Sequence, residues 1–260
     1  VRAVQRPLLF LLGYFALLWL ASIPRGMVPP AYADITWGAI ASVAVVALTR
    51  VFLKGENRTW REIGLTPDSG SAVRLLSGVG VGITVYAVTL GLISVVAGPL
   101  RFTAVTPPTF ATVVRIVAGV LALSCMEELG FRGYLLRSLI PAVGHWQAQV
   151  FVAIAFGVSH LLFGWTWQTV VMGVIPSALL FGASARVSGG LALPIGVHAA
   201  VNFAMWVVGE KDSAGFGTLD VDPANVSRVA AVAPIIGAAV PIGTALLLFW
   251  WHQRQVRRAL

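Results

Sequence analysis

The sequence predicts an all-α fold: a polytopic bundle of about eight transmembrane helices with both termini in the cytoplasm. Three observations lead there. Only 11% of the 260 residues are charged and the mean hydropathy is +0.86, whereas a soluble globular domain carries roughly 25% charge. Apolar runs of about 20 residues, the length that crosses a bilayer, recur along the chain. The segments of about 10 alternating residues that mark a membrane β-barrel do not. Finally, Lys and Arg are unequally shared between alternate loops.

The apolar runs lie at roughly 7–24, 33–53, 75–97, 109–138, 146–163, 168–186, 190–208 and 229–251. Pro29-Pro30 follows the first run and a polar stretch from Lys54 to Arg74 the second. Gly98-Pro99 and Pro107-Pro108 bracket the next loop, Gly189-Gly190 separates the sixth and seventh runs, and an acidic, Gly-rich loop from Glu210 to Pro223 follows the seventh. Three parts are expected: N-terminal spans over 1–108 with a cytoplasmic loop at 54–74, a core over 109–206, and an outer acidic loop with a last span over 207–260. Gly78 and Gly82, four apart on the third run, suit close helix packing. The first run follows Arg2 and Arg6 with no clear cleavage site after it, so a retained span is expected rather than a signal peptide.

Orientation follows from the basic residues. With the N-terminus inside, the inner segments hold Arg2, Arg6, Arg50, Lys54, Arg58, Arg61, Arg74, Arg132, Arg137, Arg186, Arg254, Arg257 and Arg258. The outer segments hold Arg25, Arg101, Lys211 and Arg228, and Arg115 lies within the fourth run near its outer end. Thirteen against four obeys the positive-inside rule, and an odd number of spans would spoil it. The same loops account for the net charge of +8. Membrane lipids, not nucleic acid, are therefore the expected surroundings. The Ala- and Val-rich composition and compact size point to a bacterial plasma membrane. With Cys125 the single cysteine, no internal disulfide can form.

Few polar groups fall inside the spans. Of ten acidic residues, Asp34, Glu56, Glu62, Asp68, Glu210, Asp212, Asp220 and Asp222 lie in loops or at a span edge; only Glu127 and Glu128 lie within one. Of four histidines, His160 and His198 are inside spans, and Asn202 is the one intramembrane asparagine. An ionisable group in hydrocarbon costs at least about 2.5–3.5 kcal/mol on insertion scales, which makes such groups functional candidates by default. At 1.5 Å rise per residue, Glu127, His160, His198 and Asn202 lie roughly 16, 21, 12 and 18 Å from the cytoplasmic ends of their spans. Three spans thus bring four rare polar groups to one layer.

Glu128 and Arg132, four apart with the acid first, have the favourable ion-pair spacing. Glu127, rotated about 100° on the helix, is free to face elsewhere. Phe156 shares a helix face with His160, and His198 with Asn202. Cys125 is close in sequence to the glutamates, but a lone buried cysteine is more often a packing residue than a nucleophile.

These residues carry a resemblance. Glu127-Glu128-Leu-Gly-Phe-Arg132 fits Glu-Glu-x-x-x-Arg, Phe156-Gly-Val-Ser-His160 fits Phe-x-x-x-His, and His198-Ala-Ala-Val-Asn202 fits His-x-x-x-Asn. The ordered set resembles the CPBP intramembrane protease family, which contains the type II CAAX prenyl endopeptidases and bacterial Abi proteins. Trp60-Arg-Glu-Ile-Gly-Leu65 also looks like that family's segment before the core. The resemblance implies an endopeptidase hydrolysing a peptide bond of a membrane-bound or prenylated protein, in a cavity open to the cytoplasm. It implies that Glu127 with His160 activates the attacking water, that His198 with Asn202 stabilises the oxyanion, and that Glu128 and Arg132 support the site. The residue chemistry agrees: amide hydrolysis needs a base for water and donors aimed at the developing oxyanion.

Cofactor use stays open at this point. Glu127, His160 and His198 could also form a His/His/Glu zinc set, while a metal-free glutamate mechanism is equally implied by the resemblance. Two other functions compete. Buried Glu and His can serve a proton- or ion-coupled transporter, although no inverted repeat or broken helix pair is evident. A non-catalytic immunity or scaffold protein could use the same fold.

Overall fold

The computed structural model describes residues 2–211 and 215–258; Asp212 of the acidic loop lies outside them. The chain is an all-α, multi-span bundle of eight long helical segments. They are α1 (Arg2–Ser22), α2 (Ala33–Glu56), α3 (Ser71–Ala97), α4 (Phe110–Glu128) continued by α5 (Leu136–Val143), α6 (His145–Leu162), the single turn α7 (Trp167–Thr169) continued by α8 (Ile175–Ser188), α9 (Ala192–Val207) and α10 (Val226–Arg258). Six of these segments are long and apolar enough to cross a membrane. The other two are α6 and the shorter α9, the helices that carry His160 and His198. Helices suit this setting because hydrocarbon supplies no partner for a free backbone group.

Two short strands interrupt the helical chain. Leu100–Ala104 (β1) pairs antiparallel with Gly217–Val221 (β2), Leu100 opposite Val221 and Ala104 opposite Gly217. The all-helical expectation treats both stretches as loops, because five residues between Gly and Pro give too little periodicity to read as strand. The ribbon absorbs part of the acidic loop: Thr103 hydrogen-bonds Asp220, and Asp222 accepts from the Ala224 amide at 2.9 Å. Glu210 accepts from the Tyr86 hydroxyl at 2.8 Å.

At the end of the bundle that holds both termini, the polar segment 57–70 folds back under the helices. Ile63 is fully buried, Arg58 donates to Ser138 at 2.7 Å, and the Leu65 amide donates to the Trp60 carbonyl at 2.9 Å. Thr59 hydrogen-bonds hold the Glu62 carboxyl below the usual carboxylate range. The guanidinium of Arg74, assisted by the Gly70 amide, does the same to Asp68.

The central helix is α9, flanked by α3, α4 and α8. Its fit against α3 depends on glycine. A Cβ at Gly78 would strike the Leu193 carbonyl, one at Gly82 the Val197 carbonyl, and one at Gly196 the Leu75 carbonyl. The Gly78–Gly82 spacing therefore does what the sequence suggests, letting two backbones touch. This close approach fixes the height of α9, and with it His198 and Asn202.

Two spans contain a π-helical segment, which the sequence reading, finding no broken helix pair, did not foresee. Leu129–Leu135 joins α4 to α5, with Gly133 at a non-helical ψ of −111°. Val170–Val174 joins α7 to α8. Segments of this kind occur often at functional sites, and both adjoin the polar cluster described next.

Candidate active site

Glu128 and Arg132 are fully buried, and Arg132 Nη1 donates to Glu128 Oε1 at 3.0 Å. The ion pair suggested by the four-residue spacing is thus present, on the π segment rather than on a regular α-helix. The second arm of the guanidinium, Nη2, donates to the Ala178 carbonyl at 2.9 Å. Its plane lies among aromatic rings, 4.6 Å from the Phe156 centroid and 5.4 Å from that of Phe181. Aromatic faces and a carboxylate together replace the water that a buried guanidinium loses.

His198 ties this pair to the neighbouring glutamate. Its Nδ1 is 3.0 Å from Glu128 Oε1, and its Nε2 is 3.3 Å from Glu127 Oε2. Glu128 Oε1 accepts from Arg132, and with Nδ1 as the donor it accepts from His198 as well. The opposite contact, between a ring nitrogen and a carboxylate oxygen, needs one proton between Nε2 and Oε2. The ring is stacked on Phe181 at 4.3 Å between centroids and 16° between planes, so its orientation is fixed on both edges and one face. Phe181 sits in an apolar run and carries no sequence signal for this role.

The two adjacent glutamates meet different surroundings. Glu128 is sealed off, while the Glu127 side chain is 18% exposed and lines a cavity of about 300 Å³. His160, His198 and Asn202 line the same cavity from α6 and α9. His160 Nδ1 is 2.9 Å from the Phe156 carbonyl. A carbonyl only accepts, so Nδ1 is the protonated nitrogen and Nε2 keeps its lone pair. The Phe156–His160 spacing thus has two functions: the Phe156 carbonyl sets the tautomer, and its ring lies 4.6 Å from the imidazole. Trp165, just beyond α6, meets His160 edge-on at 5.0 Å. The four intramembrane residues that the depth estimate placed in one layer therefore share one cavity. Cys125 lines neither this cavity nor its neighbours, so a thiol has no place at the site.

A pocket of about 140 Å³, walled by His160, His198, Asn202, Gly173, Ser177 and Phe181 among others, adjoins the cavity between α6, α8 and α9. It shares Thr169, Gly173, Ser177, Phe181, Val201 and Met205 with an apolar chamber of about 400 Å³ that Pro234, Gly237 and Pro241 of α10 close. The polar cavity and this apolar space therefore border one common pocket.

As a zinc site, Glu127, His160 and His198 do not converge. Among the described residues no three His, Cys, Asp or Glu side chains come close enough to hold one ion. Both ring nitrogens of His198 are already directed at carboxylates.

Residues 108–204 match the family model of type II CAAX prenyl endopeptidase Rce1-like proteins. The matched stretch contains all three motifs, from Glu127 to Asn202. No curated protein matches the chain.

Proposed function

We propose that the protein is an intramembrane endopeptidase that hydrolyses a peptide bond of a membrane-associated or lipidated protein. The observation that carries this reading is the linked row Arg132–Glu128–His198–Glu127, whose last two members line a cavity shared with His160 and Asn202. Its position inside the stretch that matches an endopeptidase family supports it further.

The chemistry follows from the hydrogen positions. A water in the cavity gives one proton to Glu127 and directs its other hydrogen at the unprotonated Nε2 of His160. The water oxygen bonds to the scissile carbonyl carbon, and the carbonyl π pair moves to oxygen. The Asn202 carboxamide and the His198 Nε2 hydrogen, given up by Glu127 once it holds the water proton, receive that oxyanion. The carbon–nitrogen bond then breaks as the oxyanion re-forms a carbonyl, and Glu127 returns its proton to the leaving amine. No step passes through a metal. Arg132 and Glu128 touch no reacting atom; they hold the His198 ring. An extended or unwound stretch of substrate is required, since a spanning helix keeps its backbone groups paired. The apolar chamber offers space for the substrate's membrane-embedded portion.

Profiling a peptide library in detergent tests the reading. The wild type should cut a defined subset with or without a chelator, and Glu127→Gln should not. Equal cleavage by a folded Glu127→Gln variant would remove the proposed mechanism, and loss of cleavage on chelation would require a metal in it. Glu127-dependent proton or ion flux in liposomes, without cleavage, would favour a transporter.

A further inference from the structure

The cavity opens at one definite end of the bundle. Arg25 lies in the turn between α1 and α2, Asp34 in the first turn of α2, Trp165 between α6 and α7, and Lys211 just after α9; all four line the cavity. These positions lie at the end away from both termini. Arg25 and Asp34 form an exposed ion pair at 2.9 Å, which marks this rim as the aqueous edge.

The opposite end is closed. Phe10, Tyr14, Phe131 and Tyr134 are fully buried beneath the site. Phe10 meets Tyr134 at 4.7 Å, Tyr14 meets Phe131 at 5.1 Å, and Phe131 meets Phe156 at 5.0 Å. Gly130 makes room for this floor, because a Cβ there would fall on the Tyr14 ring.

The basic residues settle which end is which. Apart from Arg132, buried in the site, every Lys and Arg assigned to the inner side lies at the closed, terminus-bearing end, while the open end carries Arg25, Arg101, Arg115, Lys211 and Arg228. Two expectations therefore collide. Termini in the cytoplasm and a cavity open to the cytoplasm cannot both hold in this fold, since the cavity and the termini are at opposite ends.

The charge bias is physical and belongs to this chain, whereas the cytoplasmic opening comes only with the resemblance. We infer that the cavity opens to the exoplasmic side, and that its substrate is a segment of a membrane-anchored protein presented at the outer leaflet. The word substrate rests on the peptidase reading; the direction of the opening does not.

Single cysteines in a Cys125→Ala background test the direction. Thr106→Cys lies in the exposed loop after β1, and Ser69→Cys in the exposed turn before α3. In intact cells a membrane-impermeant maleimide should label Thr106→Cys, and should label Ser69→Cys only after permeabilisation. The reverse pattern overturns the inference. A second arm places the peptide best cleaved in detergent on either side of a single-span anchor in the same cells. Cleavage of the outward copy alone, abolished by Glu127→Gln, is expected; cleavage of the cytoplasmic copy overturns the substrate assignment. Outward labelling with neither copy cut would support the opening while sinking the peptidase reading.

Discussion

Two groups of ion pairs in this molecule do different things. Beneath the cavity, Glu128 and Arg132 meet at 3.0 Å with both side chains fully buried. Under the terminus-bearing end, Asp68 and Arg74 pair with side chains 60% and 31% exposed, and Glu62 pairs with Arg58 at 3.5 Å. Water screens the second group, so each pair there can be lost cheaply. The first group has no such alternative. A charge left alone among Phe131, Phe156 and Phe181 keeps its desolvation penalty without its compensation. The loop pairs can be removed one partner at a time at little cost, whereas the buried pair can be removed cheaply only as a unit.

That contrast can be broken by substitution, and the largest effect belongs to the buried pair. Arg132→Ala leaves Glu128 uncompensated and should destabilise the protein by about 3–5 kcal/mol, seen as a lowered midpoint of thermal unfolding in detergent. Glu127→Gln, one residue from Glu128 but facing the cavity, should leave that midpoint near wild type. It should lower kcat by roughly 10²–10⁴-fold, the range for loss of a general base. Asn202→Ala should lower kcat by about 10²–10³-fold, as for a single oxyanion donor, with little change in KM.

A smaller effect probes the apolar chamber. A Cβ at Gly173 meets nothing within 4 Å, so the backbone there admits a side chain, and Gly173→Leu adds bulk to the wall shared by the pocket beside the cavity and the apolar chamber. KM for a long membrane-anchored substrate should rise several-fold, while kcat/KM for a short soluble peptide stays constant. Asp68→Asn gives the smallest effect. The carboxyl of Asp68 is held below its usual range by Arg74, so its contribution is present above the unfolded carboxylate pKa of about 3.9 and fades as the pH falls through the folded value. The variant should unfold at a slightly lower midpoint than wild type near pH 7, and the two midpoints should converge in acid.

Several features were legible because they rest on composition or on local spacing. The helical class follows from apolar length, the Glu128–Arg132 pair from the one-turn repeat, and a close helix contact at Gly78 and Gly82, though not its partner α9, from their spacing. The rarity of polar groups in the spans singled out Glu127, Glu128, His160, His198 and Asn202 without any structure. The β1–β2 ribbon was not legible, since its strands are five residues each and over a hundred residues apart in sequence. Phe181 was equally silent: nothing in an apolar run distinguishes a ring that faces lipid from one that stacks on an imidazole.

By itself the sequence determined that this is a multi-span helical protein with one polar cluster, because the energetics of placing charge in hydrocarbon are strong enough to be read residue by residue. Only the tertiary structure decided how that cluster is wired. Which glutamate is sealed and which reaches the cavity, which nitrogen of His198 faces which carboxylate, and at which end the cavity opens all depend on neighbours supplied by distant helices. The π segment after Glu128, the close approach of α3 to α9, and the aromatic floor are long-range packing outcomes. They turn five polar residues at one depth into a directed site with a closed side and an open one.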